Sequence, residues 1–411
     1  MRGASIVIIA SVMGCSSTQD FQLPAPAREA KDDAGTSGSP PSSIGCGGPS
    51  DPNNCGTCGH SCLGAACAAG KCVPIVLASG QGDSAYGVPW YPYTTDIGDP
   101  LVGPDRLAVD DTHVYWLNLR GDVMRVPASG GKAEHLASTK PGPVWIALGD
   151  QSVYFSTMGG EIFRVAKAGG TPVRFAPASA GHGILLQPGP YPIELKLSAN
   201  RLTWADGTGV YACPLAGCSG APETIDSGSP DSRPFSFATD ASGKMYASEE
   251  GHRQTGPDSS TVSYAMTVFR DGQWLGLGGP TAYYELQGGA NDVYALATTD
   301  FGPTGVVRWS ESSVTFLASG NTMPGTPRGL ALDDDFAYWS NAAPNEIDRQ
   351  KRTASVVRCA KTGCASPEVL ADGQLVPRAL AVSRGAVYWT TGDGSVMKLA
   401  KPERPTPRSL P

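Results

Sequence analysis

The cysteines are the residues whose spacing first suggests chemistry. Six of them lie close together among Gly, Pro and Asn residues: Cys46, Cys55, Cys58, Cys62, Cys67 and Cys72. In an exported chain this pattern indicates a disulfide-rich module, because so short a segment cannot bury enough apolar area to fold without crosslinks. A zinc site built on Cys55, Cys58, Cys62 and His60 is the alternative, and export to an oxidising compartment disfavours it. We therefore predict disulfides within 46–72 and leave their pairing open.

A group of aromatic residues in the segment AYGVPWYPYTTD offers a second kind of chemistry. Its members are Tyr86, Trp90, Tyr91 and Tyr93. Such side chains can form a platform for a sugar, a peptide or a protein partner. Alternatively, they plug the mouth of a channel or pack on the cysteine module. We treat these four residues as candidate ligand-binding residues and keep both explanations open.

Charged residues recur near the beginnings of the predicted inner strands: Arg106, Glu194, Glu285, Arg328 and Arg378. Charges that converge from different repeats can hold a polar ligand, although mutual salt bridges are the default expectation. Glu194 and Glu285 can act as a catalytic acid and base only at a suitable separation. We predict ligand contacts, not catalysis, for this group.

The histidines and acidic residues do not have the spacing of a metal site. His182 and His252 fall in predicted long loops and complete the set of candidate ligand-binding residues. The Asp-rich stretches at 110–111 and 333–335 are better explained by hydrogen bonding in turns than by calcium. No Gly-rich phosphate loop, G-x-S-x-G or H-E-x-x-H motif occurs. We predict no metal and no cofactor.

The elements that must position these residues are short strands. The chain contains 52 Gly and 35 Pro, and no long stretch has the periodicity of an amphipathic helix. A repeated unit is centred on Tyr115, Tyr154, Thr203, Tyr246, Tyr294, Tyr338 and Tyr388. Each unit has the pattern of four strands that are apolar on both faces. This pattern predicts an all-β fold, a seven-bladed β-propeller of four-stranded blades over residues 73–411.

Two cysteine-bracketed hexapeptides, CPLAGC at 213–218 and CAKTGC at 359–364, occupy the same place in this repeat. Both align with the segment from Val126 to Gly131, between the third and fourth strands of the first unit. Residues that face each other across such a turn approach disulfide distance. We predict the disulfides Cys213–Cys218 and Cys359–Cys364. Redox catalysis, which usually uses C-x2-C near a helix, is the less favoured alternative.

Strand order also predicts how the ring closes and which propeller face carries the long connections; we call it the decorated face. The segment PIVLASG at 74–80 resembles a fourth strand and should complete the last blade, although the C-terminal RPTPRSLP is a rival for that place. The long connections, 81–104, 177–191, 249–262 and 341–354, all fall on one propeller face. Loops on a rigid scaffold commonly carry binding residues. The cysteine module should attach to the opposite face.

The N-terminal residues have the pattern of an export signal. An apolar stretch from Ile6 to Met13 is too short to span a bilayer and matches a signal peptide over 1–14. Val12 to Cys15 resembles the bacterial lipobox, and this resemblance implies lipidation of Cys15 and anchoring to the outer membrane. Residues 15–45 are poor in core-forming side chains and are predicted to be a disordered tether. An ordinary signal peptide with an incidental cysteine is the alternative.

The charge composition of the chain and its resemblance to known propellers together predict a binding function. The net charge is −7 and the cations are scattered, which excludes a nucleic-acid surface. Residues 73–411 resemble YWTD and NHL-like propellers through Tyr115-Trp116-Leu117-Asn118 and Tyr338-Trp339-Ser340-Asn341. The segment NCGTCGHSC resembles the Cys-rich lead of exported myxobacterial lipoproteins. We expect a monomeric, non-catalytic envelope lipoprotein that binds a protein or glycan through the decorated face. The alternative is a propeller enzyme, such as a lyase, lactonase or quinone-dependent dehydrogenase.

Overall fold

The computed structural model describes most of the chain from residue 49 to residue 402. The described ranges are 49–81, 104, 106–118, 121–140, 142–157, 159–176, 194–198, 200–206, 208–218, 220–226, 232–254, 262–270, 273–274, 281–299, 305–310, 313–319, 326–342 and 354–402. No helix within these ranges is long and apolar enough to cross a membrane.

The N-terminal part of the described chain contains three short strands. Strands β1 (Cys67–Ala68) and β2 (Lys71–Cys72) form a hairpin, and β3 (Ile75–Ala78) follows. The disulfides Cys55–Cys67 and Cys62–Cys72 crosslink this hairpin, with Cα–Cα distances of 5.6 and 5.2 Å. Cys58 is disulfide-bonded as well. The prediction of disulfides in this segment is therefore confirmed for these five cysteines.

The rest of the described chain forms four-stranded antiparallel sheets, which are the blades. The first blade is β4 (Arg106–Val109), β5 (His113–Asn118), β6 (Asp122–Pro127) and β7 (Glu134–Ser138). The second is β8 (Pro143–Leu148), β9 (Ser152–Thr157), β10 (Ile162–Ala166) and β11 (Val173–Ala176). The third is β12 (Glu194–Ser198), β13 (Arg201–Ala205), β14 (Val210–Pro214) and β15 (Glu223–Asp226).

Three further blades also use consecutive strands. The fourth is β16 (Ser232–Thr239), β17 (Met245–Gln254), β18 (Val262–Arg270) and β19 (Gln273–Trp274). The fifth is β20 (Thr281–Gly288), β21 (Val293–Thr299), β22 (Gly305–Trp309) and β23 (Val314–Ser319). The sixth is β24 (Thr326–Leu332), β25 (Phe336–Ala342), β26 (Ala354–Ala360) and β27 (Glu368–Gln374).

The seventh four-stranded sheet closes the ring. It combines β28 (Leu380–Val382), β29 (Ala386–Thr390) and β30 (Val396–Ala400) with β3, which pairs antiparallel to β30. The first strands of the seven sheets contact one another in chain order, and β28 contacts β4. The predicted β-propeller is confirmed, and β3, not the C-terminal segment, supplies the outer strand of this sheet.

Adjacent residues of the second strands explain why both faces of each blade are buried. Tyr338 packs with Leu380 and Val387 of the seventh blade, whereas Trp339 packs with Leu296 of the fifth. Successive side chains of a strand point to opposite faces, so each blade contributes to the interfaces with both neighbours. The second-strand tryptophans buried in this way are Trp116, Trp204, Trp339 and Trp389, and Trp309 on the third strand of the fifth blade is also buried.

A second set of contacts between blades joins long basic side chains to backbone carbonyls. A cation on the third strand of one blade donates to a carbonyl at the end of the third strand of the next. The pairs are Arg125 to Lys167, Arg164 to Leu215, Arg308 to Lys361, Arg358 to Pro402 and Lys398 to Ala128. The last pair joins the seventh blade to the first across the closure.

The cysteine module shares a core with the sixth and seventh blades. Cys62 and Cys72 pack in one cluster with Tyr338 and Trp389. A ring nitrogen of His60 lies 2.9 Å from the Lys401 carbonyl oxygen. These contacts lie on the side of the short first-to-second turns, in agreement with the predicted attachment.

The structure corrects the predicted loop at 249–262. Strand β17 continues to Gln254 and pairs in register with β18 from Val262, so only 255–261 lies between the two strands. This hairpin, with strands of 10 and 9 residues, is longer than the corresponding second-to-third hairpins of the other blades. His252 therefore lies in a strand, opposite Tyr264, not in a loop.

Candidate functional site

A cavity of about 410 Å³ lies among the first strands of the blades. This volume is typical of small-molecule sites, which span roughly 300 to 1,000 Å³. Its polar and aromatic lining consists of Arg106, Trp145, Glu194, Lys196, Glu285 and Gln287. The structure therefore brings Arg106, Glu194 and Glu285 together, as the sequence predicts.

Four of the lining residues occupy one register of the repeat. Arg106, Trp145, Glu194 and Glu285 each precede the aligned second-strand residue of their own blade by nine positions. The sixth and seventh blades carry Gly329 and Ala379 at this register. The cavity is consequently polar on one side, while the last two blades offer almost no side chain at the same level.

Arg106 contacts two different parts of the cavity wall. Its guanidinium carbon lies 3.8 Å from the centroid of the Trp145 ring. Its Nη1 atom lies 3.6 Å from Oε1 of Glu285. The two charged side chains expose 14% and 20% of their surfaces, so their ion pair is reachable from the cavity. It joins the first blade to the fifth, which are not neighbours in the ring.

Glu285 has an unusual backbone. Its φ is 53°, and the pairing of β20 with β21 shifts register between Tyr284 and Gln287. The equivalent residue of the sixth blade is Gly329, with a φ of 54°. A non-glycine residue in the left-handed region costs roughly 1 to 2 kcal/mol. Such strain commonly marks functional positions.

The charge of Glu285 is governed by burial and by its partners. Burial raises the pKa of its carboxyl group, while the Arg106 guanidinium and a hydrogen bond from the Leu330 backbone N–H act in the opposite direction. That hydrogen bond reaches Oε2 at 2.8 Å. Burial outweighs both, so Glu285 takes up a proton more readily than an ordinary glutamate.

Glu194 is held differently. Its side chain is 1% exposed, and its Oε2 accepts hydrogen bonds from Ser236 Oγ at 2.7 Å and from the Phe237 N–H at 3.0 Å. Its Oε1 lies 2.8 Å from Lys196 Nζ, which also donates to the Leu286 carbonyl. A carboxylate with these partners stabilises the wall of the cavity.

Trp145 and Lys196 are site residues that the sequence analysis misses. Trp145 occupies the same register as Arg106 and Glu194, so alignment on the repeat identifies it. Lys196 lies two residues after Glu194 on the same strand, and side chains with this spacing share a face. Both residues look like ordinary strand positions when each blade is considered alone.

Two more of the predicted residues lie within the described ranges but outside the cavity lining. Arg328 and Arg378 are not part of the cavity lining. The Arg328 carbonyl accepts a hydrogen bond from Ser340, and the Arg378 N–H donates to Thr390. The residues outside the described part of the chain are Cys15, Cys46, Tyr86, Trp90, Tyr91, Tyr93 and His182.

The nine cysteines within the described ranges are disulfide-bonded and are not reactive thiols. The predicted bridges Cys213–Cys218 and Cys359–Cys364 are present, with Cα–Cα distances of 5.3 and 5.7 Å. The sulfur atoms of Cys55, Cys62 and Cys72 lie close enough together to suggest a metal site, but all three belong to disulfides. Metal ligation requires a thiolate, and Cys55, Cys58 and Cys62 of the alternative zinc site with His60 are all disulfide-bonded, so that alternative fails.

Comparison with known proteins identifies the fold. No family model and no curated protein matches the chain. A catalytically inactive virginiamycin B lyase from Staphylococcus aureus with quinupristin is similar at a TM-score of 0.51 and 10% identity, over 73% of this chain and 95% of that one. YCF48 bound to D1 peptide is similar at a TM-score of 0.52 and 9% identity, over 80% of this chain and 97% of that one. At such low identity these similarities show the propeller fold alone.

Proposed function

We propose that this chain is an exported, lipid-anchored and non-catalytic propeller that binds a protein or glycan of the cell envelope. The observation that supports this proposal most directly is the position of the charged cavity residues. Arg106 and Glu194 are the first residues of β4 and β12, and the long connections 81–104 and 177–191 immediately precede those strands. Arg106 and Glu194 therefore lie at the end of their strands that the long connections enter.

The state of the charges favours binding over catalysis. Glu194 is enclosed by Lys196, Ser236 and Phe237, and Glu285 is paired with Arg106. A general base needs an accessible lone pair within reach of substrate. Charges that neutralise each other favour a preformed recognition surface instead.

Site-specific photo-crosslinking in intact cells tests this proposal. A photoreactive amino acid replaces Tyr91 in the long connection 81–104, and in a matched variant it replaces Lys132, an exposed residue in the third-to-fourth hairpin of the first blade. We expect defined crosslinked envelope species from position 91 and none from position 132. Equal crosslinking from both positions, or no crosslinked species from position 91, would contradict recognition through the decorated face.

A propeller enzyme, such as a lyase, lactonase or quinone-dependent dehydrogenase, is the second candidate. The observation that favours it is Glu285, which lines the cavity, has a strained backbone and has a carboxyl group with a raised pKa. Elemental analysis and the absorption spectrum of the purified chain distinguish the two proposals. A stoichiometric metal or a quinone chromophore would support the enzyme and argue against the binding protein.

A further inference from the structure

We infer that the cavity among the first strands is a binding site for a small uncharged amide with an apolar body. This site goes beyond the binding of envelope proteins by the long connections, and the two can fail separately. The groups that would recognise such a ligand are Glu285 and Gln287, which lie two residues apart on β20 and both line the cavity.

Glu285 offers a hydrogen-bond acceptor to the cavity. Its Oε2 already accepts the Leu330 N–H at 2.8 Å. Its Oε1 lies 3.6 Å from Arg106 Nη1, which is longer than a hydrogen bond, and it accepts no hydrogen bond from any residue that the structure describes. A carboxylate oxygen has two lone-pair sites. Oε1 can therefore accept an N–H from a ligand while Arg106 keeps all its present contacts.

Gln287 offers both a donor and an acceptor. Its side chain is partly exposed and lines the cavity, and within the described ranges it makes no hydrogen bond to protein. A glutamine side chain carries an NH2 group that donates and a carbonyl oxygen that accepts. Small-molecule sites commonly use a few such polar groups to orient their ligands.

A primary carboxamide complements these two groups. Its NH2 group can donate to Oε1 of Glu285, and its carbonyl oxygen can accept from Nε2 of Gln287. Burial raises the pKa of the Glu285 carboxyl group. A protonated Glu285 would still match the ligand, because a carboxylic acid both accepts an N–H and donates an O–H to a carbonyl. An amide therefore suits either protonation state.

The charges of the lining favour a neutral ligand. The charged side chains that line the cavity, counted over the described residues, are two of each sign: Arg106, Lys196, Glu194 and Glu285. Glu194 is paired with Lys196 at 2.8 Å, and Glu285 faces Arg106. A charged ligand would lose its hydration on entering and would find each lining charge already opposed by another. An uncharged amide avoids this cost.

The apolar side of the cavity accepts the rest of the ligand. Leu330, Ala379 and Leu380 line it, and the sixth and seventh blades have only Gly329 and Ala379 at the level of Glu285. A mostly apolar surface around a few polar groups is the arrangement expected of a small-molecule site. The body of the ligand is therefore expected to be apolar.

Isothermal titration calorimetry with benzamide tests the inference. The purified full-length chain is titrated with benzamide and with three probes of similar shape: acetophenone, which lacks the N–H donors, benzoate and benzylammonium. We expect benzamide to bind about ten-fold more tightly than acetophenone, which cannot donate a hydrogen bond to Glu285, and more tightly than either ion. The inference is overturned if benzamide does not bind, or if it binds no more tightly than any one of the other three probes.

Two variants separate the roles of the polar groups. In Glu285→Gln the amide oxygen keeps the bond from the Leu330 N–H, so an NH2 group replaces Oε1 and can no longer accept from the ligand. We expect about ten-fold weaker benzamide binding and unchanged acetophenone binding. Gln287→Leu removes the donor to the ligand carbonyl and should weaken the binding of both probes.

The retained acetophenone binding of Glu285→Gln shows that the cavity is intact. Because Gln287 is partly exposed, Gln287→Leu decides the question even if Glu285→Gln disturbs the fold. Arg174→Leu, at an exposed ion pair on the outer strand of the second blade, is the neutral control. Benzamide binding that is as tight in Glu285→Gln and Gln287→Leu as in Arg174→Leu would overturn the inference.

Discussion

At the residue scale, Asp333 shows how a single carboxylate joins two blades. It follows β24, and its Oδ1 accepts the N–H groups of Asp335 and Phe336 in the turn. Its Oδ2 accepts hydrogen bonds from Tyr338 Oη and from Lys401 Nζ of the seventh blade, both at 2.7 Å. Burial alone would raise the pKa of Asp333, but the bonds to Lys401 and Tyr338 outweigh it and lower the pKa to about 2.

We predict that Asp333→Asn destabilises the protein at neutral pH by about 1 to 3 kcal/mol, because Lys401 loses its charged partner. A carboxylate with a lowered pKa stabilises the fold fully above its ordinary value of about 4, and this contribution disappears as the pH falls towards about 2. Urea unfolding of both proteins at pH 7 and pH 2.5 checks this. The difference between them should shrink at pH 2.5.

Asp334→Asn is the matched control, because Asp334 is the exposed neighbour in the same turn. It should unfold like the parent at both pH values. If Asp333→Asn and Asp334→Asn behaved alike, the contact with Lys401 would contribute nothing measurable to stability.

At the element scale, the bulge in β24 explains why residue 329 is a glycine, which the local sequence pattern alone does not explain. The pairing of β24 with β25 shifts between Arg328 and Leu330, and Gly329 has a φ of 54°. A Cβ atom at Gly329 would lie 2.2 Å from the Arg378 carbonyl oxygen, on the chain entering the seventh blade. Glycine is required there because two backbones approach each other closely.

We predict that Gly329→Ala lowers the free energy of unfolding by about 2 to 4 kcal/mol, because backbone strain and a steric clash add together. Gly80→Ala separates the two causes. Gly80 has a similar φ of 66°, but a Cβ there would meet nothing within 4 Å. Chemical denaturation should show a loss of only about 1 to 2 kcal/mol for Gly80→Ala. Equal losses would mean that the contact with Arg378 is relieved at little cost.

The hairpin disulfides are predicted to act locally. Replacing Cys213 and Cys218 by Val and Gly, the residues at the aligned positions of the first blade, should change global stability by less than about 2 kcal/mol, because a short closed loop constrains the unfolded chain little. Hydrogen exchange of β15 should become faster, since this outer strand then frays more easily. Unchanged exchange in β15, with a large drop in global stability, would contradict a local role.

Strand identity and hairpin disulfides are predictable from the sequence because they depend on local pattern. The Tyr-Trp pairs mark second strands that are buried on both faces, and the aligned hexapeptides identify the cysteine bridges. The partner of Arg106 is not predictable in this way. Which inner strand faces β4 across the cavity depends on the closure of the whole ring, so the contact with Glu285 has no signal in either blade alone.

At the scale of the whole molecule, β3 joins the two ends of the ring. Val76 pairs with Met397 on β30, while Leu77 and Ala78 are buried in a core with Val114 and other residues of the first blade. Lys398 donates to the Ala128 carbonyl at 2.8 Å across the same boundary. The closure therefore combines backbone pairing, an apolar core and one charged hydrogen bond.

We predict that Leu77→Asp greatly weakens the closed ring, because it places a charge in a core position that is 6% exposed and is packed among apolar side chains. A loss of about 3 kcal/mol or more is expected for burying an unpaired charge, with faster hydrogen exchange first in β30 and β4. Removal of residues 404–411, the rival closing segment, should leave both the unfolding midpoint and this exchange pattern unchanged. If the truncation opened the ring and Leu77→Asp did not, β3 would not be the strand that holds the first and last blades together, and the interface around Val114 would have to be stable without it.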